Sequence, residues 1–322
     1  MSLQGATEGS DSLKTRSQGR SFLRSLFTYE GTGSLKDRLL TALYVVSGAF
    51  ALTLATLYVP YGGFICVAVV TALVAMAAFE VVRLFARHHD TLAYRPVAGV
   101  VMYGVLTLPV LVAAVSSVFG VLSGQVWWRE IYVATVIAAE FLMLGLVLEG
   151  RVSLEAGGRF AQRYGVGFLI ISLCGPALVT ISGLPRGIAL LWWIVGCSAL
   201  NDTAAYFVGR ALGAHKMAPA LSPNKSLEGS IAGLLVGTCA GVVLWRLIVE
   251  TTLPLGNIAL LSLVVTIAAQ TGDLAKSYLK RLRGVKDLGA LLPGHGGVLD
   301  RFDALIAAAP VVLAALVSFG LV

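Results

Sequence analysis

The sequence predicts an all-α, polytopic integral membrane helix bundle of about nine transmembrane helices. Three observations carry this. The 322 residues are 57% hydrophobic and only 13% charged, with a mean hydropathy of +0.85, whereas a soluble domain of this size is roughly 45–50% apolar. The apolar residues come in runs of the length an α-helix needs to cross about 30 Å of hydrocarbon. The basic residues fall almost wholly in alternate connections between those runs, as the positive-inside rule requires.

Residues 1–36 form a tail, rich in Ser, Gly, Thr and Gln at its start and without hydrophobic period, as in disordered termini. It is not a secretory signal, since no apolar core with a cleavage site follows the start. Ser21 to Phe27 either lies on the membrane surface as a short amphipathic piece or simply leads into the first helix. Residues 37–322 form one membrane-embedded domain. Its spans are Leu39–Val59, Gly63–Leu84, Val97–Val118, Ile131–Leu148, Gly165–Ser182, Gly187–Val208, Ser230–Val249, Leu255–Tyr278 and Ala304–Val322. Pro109 and Pro176 fall inside spans and are expected to kink them, which a helix bundle tolerates.

Six Lys or Arg precede span one, three follow span two, three span four, three span six and six span eight. The other side holds only Arg129, Arg186 and Arg246. This places the N-terminus in the cytoplasm and the C-terminus outside, with the charge-rich connections after spans six and eight on the cytoplasmic side. Cys66, Cys174, Cys197 and Cys239 lie far apart in apolar runs, so they read as packing or lipid-facing residues. No basic patch outside the membrane-flanking loops supports a nucleic-acid partner.

The stretch from Gln270 to Asp303 gathers Asp273, Lys276, Lys280, Arg281, Lys286, Asp287, His295, Asp300, Arg301 and Asp303 between two very apolar segments. Asp273, Lys276 and Lys280 stand at i, i+3 and i+7, on one helix face. A carboxylate at that depth is costly unless paired or metal-bound, so it marks function; the plainer reading is a structural pair snorkelling to the interface. Gly294, Gly296 and Gly297 around His295 allow close approach of backbone N–H groups to an anion. Asp300 and Asp303 open the last span, where a helix dipole also favours acids. Two hard carboxylates from different helices, Asp273 and Asp300, suit Mg²⁺.

A second patch follows span six. Asn201 and Asp202 lie within that span, as a functional pair or part of an interhelical network. The following loop, Leu221 to Gly229, offers Ser222, Lys225, Ser226 and Glu228 to phosphate or ribose, or is an ordinary polar turn. Glu80 and Glu140 read as interhelical hydrogen-bond partners, outside the site. Trp127–Trp128 and Trp192–Trp193 read as interface or packing aromatics.

Ser277, Lys280-Arg281, Lys286-Asp287, Pro293, His295-Gly296-Gly297, Asp300-Arg301 and Asp303 stand in an order and spacing that resembles the signature of the phosphatidate cytidylyltransferases, also called CDP-diglyceride synthetases. Asn201-Asp202 with Ala205-Tyr206, and the SPNKSLEG loop, look like further family elements. The family loop usually reads Lys-Lys-Thr-Trp-Glu-Gly; here Asn224-Lys225-Ser226-Leu227-Glu228-Gly229 keeps one Lys and the Glu.

The resemblance implies transfer of the cytidylyl group of CTP to phosphatidic acid, giving CDP-diacylglycerol and pyrophosphate, at a multi-pass protein of a bacterial inner membrane. By resemblance and position Asp273 and Asp300 hold Mg²⁺, with room for a second cation. Lys276, Lys280, Arg281, Lys286 and Arg301 hold phosphates, and His295 binds a phosphate oxygen or donates a proton to it. Ser222 and Lys225 contact nucleotide, while Asn201, Asp202 and Asp303 complete the substrate site. A homodimer is left open. Two other readings stand beside this one: a related CTP-dependent lipid cytidylyltransferase or lipid kinase, and an ion-coupled secondary transporter using Glu80, Glu140 and Asp202. The lack of an inverted repeat counts against the transporter.

Overall fold

The computed structural model describes residues 35–86, 96–123, 153–249, 252–285, 287–289, 292 and 296–321, with isolated helical positions at 131, 135, 138, 139 and 142. Within them run α1 (Leu35–Tyr58), α2 (Gly62–Ala86), α3 (Pro96–Ser123), α4 (Leu154–Phe168), α5 (Gly175–Gly183) and α6 (Gly187–Leu212). A two-stranded hairpin follows, β1 (Lys216–Ala218) and β2 (Ser222–Ser226), then α7 (Leu227–Leu244), α8 (Leu255–Arg283) and α9 (Leu299–Ser318). Among the described residues eight helices are long and apolar enough to cross a membrane, with α4 and α5 together making one of them. They coincide with eight of the nine predicted spans. The expected fourth span, Ile131–Leu148, with Glu140, lies outside the described residues except at the isolated positions, as do residues 1–34 of the N-terminal tail and Trp127–Trp128.

The fifth span differs in one respect from the expectation of a helix kinked at Pro176. A π-helical turn, Leu169–Leu173, interrupts it first, and Pro176 sits in the opening turn of α5. A missing backbone N–H costs nothing there, because the first turn of a helix has no internal acceptor for it. Pro109 does lie inside α3. Ser172, from the π-helical turn, donates to the carbonyl of Leu106 at 3.0 Å, in the turn that the proline disturbs, as hydroxyls do for loosened backbone in membrane helices.

Glycine brings the C-terminal helices together. Gly229, Gly233, Gly237 and Gly241 recur every fourth residue of α7 and are all buried. A Cβ on Gly237 would stand 2.8 Å from Thr266 Cγ2 of α8 and 3.0 Å from Asn201 Cβ of α6. A small residue every fourth position lets helix backbones approach closely where the hydrophobic effect supplies no net attraction between them. Trp193 of α6 closes the far end of this contact. Its ring is fully buried, packs edge-on against Trp245 at 4.9 Å and donates its indole N–H to Gly241 O at 2.8 Å. Trp192 points the other way, donating to Thr53 of α1 at 2.8 Å. The four cysteines are unpaired, two of them (Cys66 and Cys197) buried.

Gly237→Leu is expected to push α7 away from α6 and α8. Overpacking costs about 1–3 kcal/mol in a core whose neighbours can shift, and here two helices crowd the same point. A lower melting temperature in detergent than wild type checks it.

Candidate active site

The described charged residues between Asp273 and Asp303 assemble, with Lys225, at one end of the bundle, where α2, α6 and α8 finish and α7 and α9 begin. Helix α8 ends by design of its own sequence. Lys280, Arg281 and Arg283 occupy its last turn, where cations oppose the partial negative charge of the free carbonyls. Gly284 then takes φ +62°, and Gly284 and Val285 donate back to Arg281 O and Lys280 O, the glycine-terminated stop of a helix.

On the face foreseen from spacing, Lys276 Nζ lies 2.8 Å from Asp273 Oδ1 and 2.8 Å from Asp303 Oδ2. It also donates to the backbone carbonyl of Asp300 at 3.2 Å. One ammonium therefore ties α8 to two points of α9. Lys280, one turn later, sits 2.6 Å from Asp300 Oδ1 and 4.0 Å from Asp287. The second oxygen of Asp273 pairs with Lys225, which arrives from β2. So the structure unites Asp273, Lys276, Lys280, Asp300, Asp303 and Lys225 in one alternating cluster. It pairs Asp273 most directly with Asp303, through Lys276, while Asp300 answers to Lys280.

The predicted loop after span six is an antiparallel hairpin, with Lys216 opposite Ser226 and Ala218 opposite Ser222. Its residues divide between scaffold and site. Ser226 caps α7, its hydroxyl accepting from Gly229 N at 3.2 Å. Glu228 accepts from the backbone N–H of His215 at 3.1 Å and meets its ring Nδ1 at 2.6 Å, which clamps the hairpin base. Arg281 donates to Leu221 O at 3.1 Å, so α8 grips the hairpin turn, and Lys225 reaches inward to Asp273. Ser222 is half-buried at the start of β2, and Arg301 is exposed on the first turn of α9.

Asn201 and Asp202 belong to a directed chain of side-chain hydrogen bonds through three helices. Ser230 of α7 donates to Gln270 Oε1 at 2.5 Å, and Gln270 of α8 donates to Asn201 Oδ1 at 2.7 Å. Asn201 then donates to Asp202 Oδ1 at 2.9 Å. Asn201 is almost wholly buried while Asp202 is exposed, so the chain runs from the core to a carboxylate within electrostatic reach of Asp273, Lys225 and Lys276. The interhelical network expected of Asn201-Asp202 is present in the structure. Gln270 was the member that sequence reasoning missed; its only signal was an amide in an apolar span.

Two buried carboxylates hold the loop between α8 and α9. Asp300 Oδ2 accepts from Leu288 N at 2.9 Å and Gly297 N at 3.0 Å. Gly296 adopts φ +82°, a left-handed turn open to glycine. Glu80, from α2, accepts from Val298 N at 2.8 Å and Leu299 N at 3.0 Å. The interhelical role expected for Glu80 is therefore a contact to backbone at the site itself. Lys286 and His295 lie outside the described residues.

The donor set can be tested against a metal ion. Among the described residues Asp300 Oδ1 and Asp303 Oδ2 are buried without a well-directed hydrogen bond, with a lysine ammonium at 2.6 Å from the first and 2.8 Å from the second. Asp273 is the most open of the three, with 31% of its side chain accessible against 4% for Asp300 and 9% for Asp303. Oxygen-only donors of this kind suit a hard cation that also takes water and phosphate, as Mg²⁺ does. Among the described residues no group of three or more His, Cys, Asp or Glu forms a closed protein cage for a metal.

Comparison with known proteins gives a concordant result. A model described as the cytidylyltransferase family matches residues 36–319. The phosphatidate cytidylyltransferase of Pseudomonas aeruginosa is 34% identical over 288 residues, covering 89% of this chain and 98% of the relative. That of Brucella suis is 45% identical over 126 residues, 39% of this chain and 46% of the relative. That of Bacillus subtilis is 35% identical over 143 residues, 44% of this chain and 53% of the relative. The match thus spans about half the length of the Brucella and Bacillus relatives and nearly all of the Pseudomonas one.

Proposed function

We propose that this protein, which belongs to the cytidylyltransferase family, transfers the cytidylyl group of CTP to phosphatidic acid. A phosphate oxygen of the lipid attacks the α-phosphorus of CTP in line. The new phosphoanhydride bond forms as the bond from the α-phosphorus to the bridging oxygen breaks, and that electron pair leaves with pyrophosphate. No side chain needs to act as nucleophile, so catalysis consists of positioning and charge stabilisation.

One observation supports this above the others: Lys225, Lys276 and Lys280 converge on Asp273, Asp300 and Asp303 at one end of the bundle. Two anionic reactants meet only where cations oppose their repulsion, and a lipid substrate reaches only a site at the membrane boundary. Lys225, Lys276 and Lys280, with Arg281 and Arg301, bind phosphates, as do Lys286 and His295 in the signature loop. Asp202, oriented by Asn201, and Ser222 border the nucleotide. Asp273 and Asp300, with Asp303 beside them, hold Mg²⁺, which supplies charge neutralisation at the triphosphate. The charge distribution of the connections supports a cytoplasmic N-terminus and site, in the inner membrane of a bacterium, and association as a homodimer is compatible with this arrangement.

Purified protein in nanodiscs, given labelled CTP, Mg²⁺ and phosphatidic acid, is expected to release pyrophosphate and form CDP-diacylglycerol only when all three are present. Release of CDP instead would make the protein a lipid kinase. Flux of a solute into proteoliposomes without CTP, and no turnover with it, would make it a transporter.

A further inference from the structure

Glu80 is a carboxylate 2% exposed in an apolar membrane-spanning helix, 193 residues before Asp273 in the chain. Such a group is expensive and persists where it has partners and a task. Its partners are two consecutive backbone amides, one on each oxygen: Val298 N on Oε1 at 2.8 Å and Leu299 N on Oε2 at 3.0 Å. These belong to the first turn of α9, whose N–H groups have no acceptor within the helix. The residue at its N-cap, Val298, makes no side-chain cap. A carboxylate there also faces the positive end of the helix dipole. Helix α9 thus borrows its cap from α2.

The described loop backbone lies close against this carboxylate. A Cβ on Gly289 or on Gly297 would stand 2.7 Å from the Glu80 carboxylate carbon, so the two glycines that flank the signature loop close around this one group. Arg283, in the last turn of α8, donates to Leu84 O at 2.8 and 3.0 Å, one turn beyond Glu80 on α2. The end of α2 is therefore bound to both anchors of the loop, where α8 stops and where α9 starts. Asp300 and Asp303 follow within the next turn of α9. Any shift of that turn moves both carboxylates relative to Lys276 and Lys280.

We propose that Glu80 is a positioning residue for cytidylyl transfer, acting through the first turn of α9. The proposal rests on the activity stated above. It touches no substrate; it sets where Asp300 and Asp303 stand when the reactants are in place. A displacement of about 1 Å in such groups costs on the order of 10²-fold in rate. Glutamate is required, because an amide at this position keeps one acceptor but turns an N–H donor towards a second N–H, and aspartate is one methylene too short to reach both amides.

The test compares wild type with Glu80→Gln, Glu80→Asp and Gly297→Ala in nanodiscs, by steady-state kinetics and by backbone hydrogen exchange. The expected result is a kcat lower by about 10²-fold in the Glu80 variants, a KM for CTP within about 3-fold of wild type, and faster exchange confined to residues 288–303. Gly297→Ala, which presses on the same carboxylate from the loop side, is expected to lower kcat as well, and carries the test if a Glu80 variant does not accumulate. Unchanged kcat, or exchange accelerated evenly over the whole bundle, would overturn the proposal. A wild type without phosphatidate-dependent pyrophosphate release would instead remove the activity itself, and the exchange data alone would then judge the contact.

Discussion

Asp273→Asn is expected to abolish cytidylyl transfer, by at least about 10²- to 10³-fold in kcat, the scale on which loss of one charge-stabilising group acts in a water-poor site. The carboxylate accepts Lys276 on one oxygen and Lys225 on the other, so its charge organises two cations from two elements. The amide preserves shape but removes the anion opposite Lys225 and one of the two opposite Lys276, which keeps Asp303. Because nearly a third of the side chain is accessible, the change costs little stability, and the protein should elute and melt close to wild type. The decisive measurement is pyrophosphate release at saturating Mg²⁺ together with CTP affinity by calorimetry. Turnover retained at high Mg²⁺ would remove Asp273 from the metal site.

Lys276→Met is the complementary experiment and should damage folding as well as activity. Its ammonium, on a side chain only 12% accessible, neutralises Asp273 and Asp303 and holds the Asp300 carbonyl. Breaking a buried ion pair by removing one partner costs about 3–5 kcal/mol, because the other charge stays buried. That figure applies to Asp303; the share from Asp273 is smaller, since water screens a partly open carboxylate. A lowered melting temperature in detergent and loss of turnover are the expected readings. Asp303→Asn in the Lys276→Met background should restore part of the stability and none of the activity, and the double-mutant cycle measures the coupling directly. Full stability of the single variant would show that the pair contributes nothing.

Much of the site was legible because its elements are local. Asp273, Lys276 and Lys280 share a face through helical period alone, and their mutual placement needed only the span assignment. Asp300 and Asp303 were correctly put at the start of a helix, as the glycine-rich run before them implied. The hairpin was not legible. Ser222 to Ser226 reads as a polar turn, and a five-residue strand containing Pro and Asn has little propensity of its own; it forms because Leu227, His215 and Glu228 close its base. Gln270 and Glu80 were missed or set aside for a different reason. Each is a single polar residue in an apolar span, and nothing nearby in sequence names its partner.

By itself the sequence determined the class of protein, the placement of eight helices found in the structure, and the stretch in which charged residues gather at one end of the bundle. Hydropathy and helical period are sums over neighbouring residues, so they survive without knowledge of the fold. Tertiary structure alone decided who pairs with whom: Lys225 with Asp273 across 48 residues, Gln270 with Asn201 across 69, Val298 and Leu299 with Glu80 across 218 and 219. Those choices depend on which helices lie side by side, and the glycines of α7 settle that by letting α6 and α8 close in. A buried charge takes whichever donor the packing brings within about 3 Å, and packing is a property of the whole chain.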